Sequence, residues 1–209
     1  MLQLHNYPRT RGVRVTWMLE ELGAEYEFKL VPASDAGFAS KEFLQINPAG
    51  KVPALVDGDL ILTESAAIVT YLGDKFPEKR LVPTPATAAR AKYDQWCYFV
   101  LSELEQPLWT KGRHTFVLPP DKRVPAVIKT AEWEFQKALD ILSQGLGGNR
   151  YILGAEFSAA DILIGQTLLW ARVAKQPMDF QNIEHYADRV LGRDALQRAR
   201  AREAAALES

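Results

Sequence analysis

The sequence predicts an α/β domain in the order strand, helix, strand, helix, hairpin, helix, followed by an all-helical domain. Three observations carry that expectation. Residues 1–80 mix a period of two with a helical period. Leu81-Val82-Pro83-Thr84-Pro85 then sets two prolines two residues apart, which resists both helix and central strand and reads as a linker over 81–85. From 86 to 209 the alternation disappears and only helical spacing recurs. A chain of 209 residues has room for two modest domains.

Each element has its own signal. Leu2 and Leu4 alternate with polar neighbours and predict a short first strand. Val13, Trp17, Leu19 and Leu22, broadened by Val15 and Met18, form an apolar helical stripe that Gly23 stops. Tyr26 to Val31 reads as a second strand, and Ser40 to Ile46 as a short helix closed by Asn47-Pro48. Val52 to Val56 and Leu60 to Leu62 flank Asp57-Gly58-Asp59, and Asp-Gly is a strong tight-hairpin signal. Glu64 to Phe76 carries Ile68, Val69 and Leu72 at helical spacing and ends at Pro77. A right-handed strand–helix–strand unit followed by an antiparallel hairpin makes a small mixed sheet with helices packed on it. In the second domain the predicted helices are Ala86 to about Val117, Pro125 to about Leu146, Ser158 to about Ala174, and the Ala-, Arg- and Glu-rich end.

Composition narrows the function. Lys plus Arg total 25 against 26 Asp plus Glu, a net charge of −1, so a nucleic-acid role has neither the charge nor a motif. The hydrophobic fraction of 47% is enough for a real core. The single cysteine, Cys97, pairs with nothing internally and reads as a small buried hydrophobe. His5, His114 and His185 never fall in an i, i+4 pair, so no metal site is expected. Met1 to Tyr7 lacks the apolar run of a signal peptide and no stretch is long enough for a bilayer, which leads to the expectation of a cytoplasmic protein without a membrane partner.

Chemistry concentrates first in Asn47 to Ser65. A cis Val52–Pro53 bond would turn the Val52 backbone outward, leaving its N–H and C=O to pair with an extended, peptide-like ligand. Beyond the hairpin, Glu64-Ser65 opens a helix whose backbone N–H groups, with the Ser65 hydroxyl, suit a carboxylate. Glu64 beside it can accept from an ammonium. Taken singly, these are a turn proline and a helix cap; at this spacing they describe a site for a short peptide with a free α-amino acid end.

The stretch Gln45 to Leu72 closely resembles the glutathione-binding half of the cytosolic glutathione S-transferases. Lys51-Val52-Pro53-Ala54-Leu55 and Leu62-Thr63-Glu64-Ser65 look most like the theta and bacterial branches of that family. The resemblance implies a thioredoxin-like βαβαββα domain over 1–80 and an all-helical domain over 86–209 that contributes a hydrophobic substrate pocket. It implies glutathione as co-substrate, with Val52 pairing to its cysteinyl part, Glu64 and Ser65 holding the γ-glutamyl group, and Lys51 near the glycyl carboxylate. It also implies a homodimer joined across the two domains.

The second focus is Tyr7-Pro8-Arg9-Thr10-Arg11-Gly12-Val13-Arg14, between the first strand and first helix. In the resembled family this junction presents a Tyr, Ser or Cys to the glutathione sulfur. The attacking species must be a thiolate, yet a free thiol of pKa about 8.5 is only about 3% ionised near pH 7. A hydroxyl donor aimed at the sulfur, at the positive end of a helix, favours the anion. Tyr7 occupies the slot that resembles the catalytic Tyr or Ser; Thr10 lies nearer the slot of the beta-type cysteine, and its plainer use is a helix cap. With no cysteine there, a mixed-disulfide mechanism is disfavoured. Arg9, Arg11 and Arg14 receive no catalytic role.

Ser158-Ala159-Ala160-Asp161 reads as a capping box with a Phe157–Ile162 staple, structural and not catalytic. The expected reaction is attack of the glutathione thiolate on an apolar electrophile, some of Trp96, Tyr98, Leu101, Trp109 and Phe116 facing it with His114 as a polar note. Peroxide reduction at the same site and a non-catalytic glutathione-binding or protein-interaction module are the alternatives. The arginines at 198, 200 and 202 read as a solvated helix face.

Overall fold

In the computed structural model, which describes residues 1–33 and 38–208, the chain divides into two units: Met1–Val82 with Gly192–Ser209, and Pro83–Leu191.

The first unit is built on β1 (Leu2–Asn6), β2 (Tyr26–Leu30), β3 (Ala54–Asp57) and β4 (Leu60–Thr63), in the order β2-β1-β3-β4. β1 runs parallel to β2 and antiparallel to β3, and β3 runs antiparallel to β4. Leu2, Leu4 and Asn6 point to the buried face, as period-two alternation requires. The β1–β3 ladder runs from Leu2↔Asp57 to His5↔Ala54, which brings the Val52–Pro53 peptide to the same end of the sheet as Asn6 and Tyr7. The ladder starts at Ala54 and not at Val52 as expected from sequence, since Pro53 has no N–H to contribute. Gly58 turns the hairpin at φ 61°, a conformation that costs glycine little.

Three helices pack on this sheet. α1 (Val13–Leu22) buries Val15, Trp17, Met18 and Leu19 completely and ends at Gly23, φ 65°. α2 (Lys41–Ile46) is capped by Ser40, whose hydroxyl accepts from Phe43 N at 3.2 Å. α3 (Ser65–Lys75) buries Ile68, Val69 and Leu72.

In the second unit, α4 (Ala88–Phe99) and α5 (Glu105–Gly112) lie in one helical run broken by π-turns at Val100–Leu104 and Arg113–Val117, where a single helix was expected. α6 (Val127–Leu146) follows, then α7 (Ala159–Val173) and α8 (Gln181–Leu191). α7 is buried on every side from Ala159 to Leu168, so it forms the centre of this unit. The capping box is present: Asp161 accepts from Ser158 N at 2.8 Å, Ser158 Oγ at 2.9 Å, Ile152 N at 2.9 Å and Tyr186 Oη at 2.7 Å. Burial pushes its carboxyl pKa up against the pull of these donors. α8 was not expected from sequence, although Ile183, Tyr186, Ala187 and Val190 make a clear buried stripe.

The last helix, α9 (Asp194–Glu208), groups with the first unit. Its Ala195, Leu196 and Ala199 are buried, and Arg193 just before it pairs with Glu21 of α1 at 2.5 Å. A face of alanines flanked by arginines looks solvated in sequence, yet small side chains let a helix lie close against another.

Candidate active site

The turn after β1 is the first part of the site. Tyr7 is half-buried, its ring 5.6 Å from that of Phe38, and no hydrogen bond joins its phenol oxygen to another described residue. Thr10 Oγ1 lies 2.8 Å from Tyr7 O and 3.2 Å from Asn6 Oδ1, and accepts from Gly12 N at 3.1 Å. A hydroxyl has one proton to give, so that of Thr10 is already shared within the turn. Arg9 is held at φ 62°, an unusual conformation for a residue with a Cβ. A Cβ on Gly12 would fall 1.7 Å from Asn6 Oδ1, so the start of α1 has space only for glycine. The positive end of the α1 dipole faces this turn, the N–H groups of Val13, Arg14 and Val15 bonding Thr10 O, Arg11 O and Gly12 O.

The second part is the segment from Asn47 to Ser65. Asn47 is buried, its Nδ2 donating to Lys51 O at 2.6 Å and its Oδ1 accepting from Ala49 N at 3.1 Å, which fixes the loop leading to Val52. The Val52–Pro53 bond is cis. Pro53 is buried, and Val52 packs against Val31, Phe43 and Ala54. No hydrogen bond joins the Val52 backbone to another described residue. The Lys51 side chain is exposed.

Glu64 sits at φ 66°, ψ 112°, outside the regions where such a residue rests comfortably, and its side chain is exposed. Ser65 behind it is 6% exposed, and its Oγ accepts from Arg14 Nη1 at 3.2 Å. The sequence assigns Arg14 no catalytic role, only solvent contact, a salt link or a share in a general positive field; here its side chain is fully buried and donates to the first residue of α3. Asn6, Asn47 and Glu203 were also missed. A polar Asn6 at an inward position of a strand was a readable signal; a glutamate far away in sequence was not.

Other expected features sort simply. Cys97 is buried and its thiol is pushed up to about 12 by desolvation, so it is no nucleophile near neutral pH. Trp96 packs edge-on to Phe99 at 5.3 Å, whereas Tyr98 and Phe116 are exposed. Leu101 and Trp109 are half-buried, and His114 Nδ1 accepts from Val124 N at 3.0 Å. Arg198 and Arg202 are not simply solvated: the first bonds Glu20 and the second lies 4.1 Å over the Tyr26 ring. Among the described residues there is no group of three His, Cys, Asp or Glu able to hold a metal ion, and no helix long and apolar enough to cross a membrane.

A four-stranded mixed sheet with this strand order, flanked by helices and carrying a cis-proline turn beside a helix start, defines a thioredoxin-like unit; a helical unit follows it. Residues 1–74 match the model of the glutathione S-transferase N-terminal domain, and residues 125–203 that of its C-terminal domain. Glutathione S-transferase 3 of Zea mays is 32% identical, covering 77% of this chain and 73% of its own. A glutathione transferase of Methylococcus capsulatus superposes with a TM-score of 0.86 at 27% identity, covering 98% of this chain and 99% of its own. A sphingomonad glutathione S-transferase, solved complexed with glutathione, gives 0.83 at 27% identity over 97% and 98% of the two chains. The chain belongs to the glutathione S-transferase family, a family of transferases.

Proposed function

We propose that the chain binds glutathione along the Val52–Pro53 edge, ionises its thiol at the turn before α1, and delivers the thiolate to an apolar electrophilic small molecule. One observation carries this reading. The Val52 backbone, without a partner among the described residues, lies at the end of the sheet that carries Tyr7 and Thr10. An extended tripeptide paired with Val52 N–H and C=O would run its γ-glutamyl end toward Ser65 and its glycyl end toward Lys51. Ser65 Oγ uses a lone pair on Arg14 and keeps its hydrogen for the ligand carboxylate. The N–H groups at the start of α3 add to that hold, and Glu64 accepts from the ligand ammonium.

Tyr7 is the donor to sulfur and Thr10 shapes the turn. The phenol has no hydrogen-bond partner among the described residues, whereas Thr10 would have to break its bond to Tyr7 O or Asn6 Oδ1. The donor bond and the helix dipole stabilise the anion more than the neutral thiol, and a lowered pKa raises the thiolate fraction faster than it reduces nucleophilicity. The proton leaves to solvent as glutathione binds, and the sulfur then bonds the electrophilic carbon as that carbon expels a leaving group with its electron pair, or passes a π pair to a neighbouring atom that takes a proton from solvent. We place the enzyme in the cytoplasm as a homodimer serving detoxification.

Retention on a glutathione matrix followed by turnover of a panel of electrophiles and organic peroxides tests this. Conjugation supports the transferase reading; peroxide reduction alone redirects it to a peroxidase, and binding without turnover to a non-catalytic module.

A further inference from the structure

Resting on that reading, we propose that Glu203 is a positioning residue: reaching from α9, its carboxylate fixes the amide of Asn6, and Asn6 fixes the Tyr7–Thr10 turn that serves the sulfur. Glu203 is 4% exposed, although it lies on a helix rich in solvated charges. Its Oε1 accepts from Asn6 Nδ2 at 3.0 Å and from Thr16 Oγ1 at 2.9 Å, while Oε2 faces Arg9 N at 3.4 Å. Three donors from the β1–α1 junction and α1 thus converge on one carboxylate. A carboxylate accepts only, so Asn6 must turn Nδ2 toward it and Oδ1 away. That leaves Oδ1 against the face of Gly12, 3.2 Å from the Thr10 hydroxyl whose one proton it shares with Tyr7 O at 2.8 Å. Asn6 is itself fully buried and hemmed in at Gly12, so its amide has no room to swing.

Buried as it is, Glu203 acts through Asn6 and the Arg9 amide. Its electrostatic setting makes the link testable. Desolvation raises its carboxyl to about 7, opposed by the hydrogen bonds from Thr16, Arg9 N and Asn6 and by the charge of Arg200 on its own helix. From β2, Tyr26 also faces it, under the guanidinium of Arg202. Protonation would convert one accepting oxygen into a donor and loosen the grip on the turn.

E203Q keeps the shape but offers one accepting oxygen where the carboxylate has two. Its kcat/KM should fall about tenfold, within the range that a misplaced reacting group costs, with the glutathione KM held within about twofold. N6A should give the same loss, and E203Q/N6A no more than either alone, because the two act in series. In the ligand-free wild type, the backbone amide signals of Arg9 and Gly12 should titrate with a midpoint near 7 and be flat in E203Q. Wild-type activity and pH profile in a folded E203Q, multiplicative losses in the double variant, or amides that ignore pH in the wild type would each overturn the proposal. Should E203Q not fold, the wild-type amide titration and N6A still decide. Titrating amides in a wild type that forms no glutathione thiolate would instead overturn the catalytic reading and leave the Glu203–Asn6 link standing.

Discussion

Arg14 Nη1 donates to Ser65 Oγ at 3.2 Å, so a cation rooted in α1 supports the hydroxyl that opens α3. The pair ties the two halves of the candidate site together, because Arg14 belongs to the same helix start as Thr10 and Gly12. A charge-assisted bond also fixes which lone pair of Ser65 is occupied, and therefore where its hydrogen points.

Ser65→Ala removes a proposed ligand partner, one expected to act equally in the ground and transition states. The glutathione KM should rise about ten- to a hundredfold, the range of one hydrogen bond to a charged group, with kcat nearly unchanged. Steady-state kinetics at saturating electrophile read this directly, and an unaltered KM would remove Ser65 from the binding account.

Gly12→Ala tests the packing under the turn. The backbone at Gly12 has φ −63°, which alanine adopts freely, so any loss comes from the contact of 1.7 Å with Asn6 Oδ1. We expect about 1–3 kcal/mol of destabilisation, the ordinary cost of overpacking, read as a lower denaturation midpoint. An unchanged midpoint would mean that Asn6 yields readily, contrary to its enclosed setting.

Asp161→Ala leaves four donors around the start of α7 without an acceptor. Stability should drop by roughly 3 kcal/mol or more, as expected for a broken buried network. Asp161→Asn, which still accepts through one oxygen, should lose less. Thermal melts of the two variants check the order.

Glu203 gives a signed pH dependence. Its carboxyl is raised from 4.5 to about 7, so between those values the folded chain holds a proton that the unfolded chain has released. The group's favourable contribution is therefore complete below about 4.5 and is lost as pH rises through about 7, a change of order 3 kcal/mol. Asp57 opposes this trend at acid pH, since its bonds from Lys75 and Tyr71 hold its pKa low. The difference between wild type and E203Q across this window isolates the Glu203 term; parallel curves would contradict it.

The sheet and most helices were legible because their signals are local. Leu2 and Leu4 alternate, Asp57-Gly58 turns a hairpin, and Ser158 with Asp161 caps a helix, each within a few residues. The candidate site rests on contiguous motifs that a sequence displays directly, Lys51-Val52-Pro53 and Glu64-Ser65. What escaped depends on distant partners. Arg14 looks like any exposed helix arginine until Ser65, 51 positions away, is packed above it. Glu203 lies 197 positions from Asn6, in a helix whose alanines hide the close approach. The π-turns at Val100 and Arg113 leave no mark on the apolar spacing that sequence reading uses, whereas α8 carried a readable stripe that the polar residues around it obscured.

The proposed catalysis depends most heavily on the phenol of Tyr7 stabilising bound thiolate. Ultraviolet titration of glutathione on wild type and Tyr7→Phe, with Thr10→Ala alongside, measures this without any electrophile. The bound thiol should ionise about two units below free glutathione in wild type and return most of the way in Tyr7→Phe. A full thiolate band in Tyr7→Phe that vanishes in Thr10→Ala would contradict it and transfer the role to the threonine.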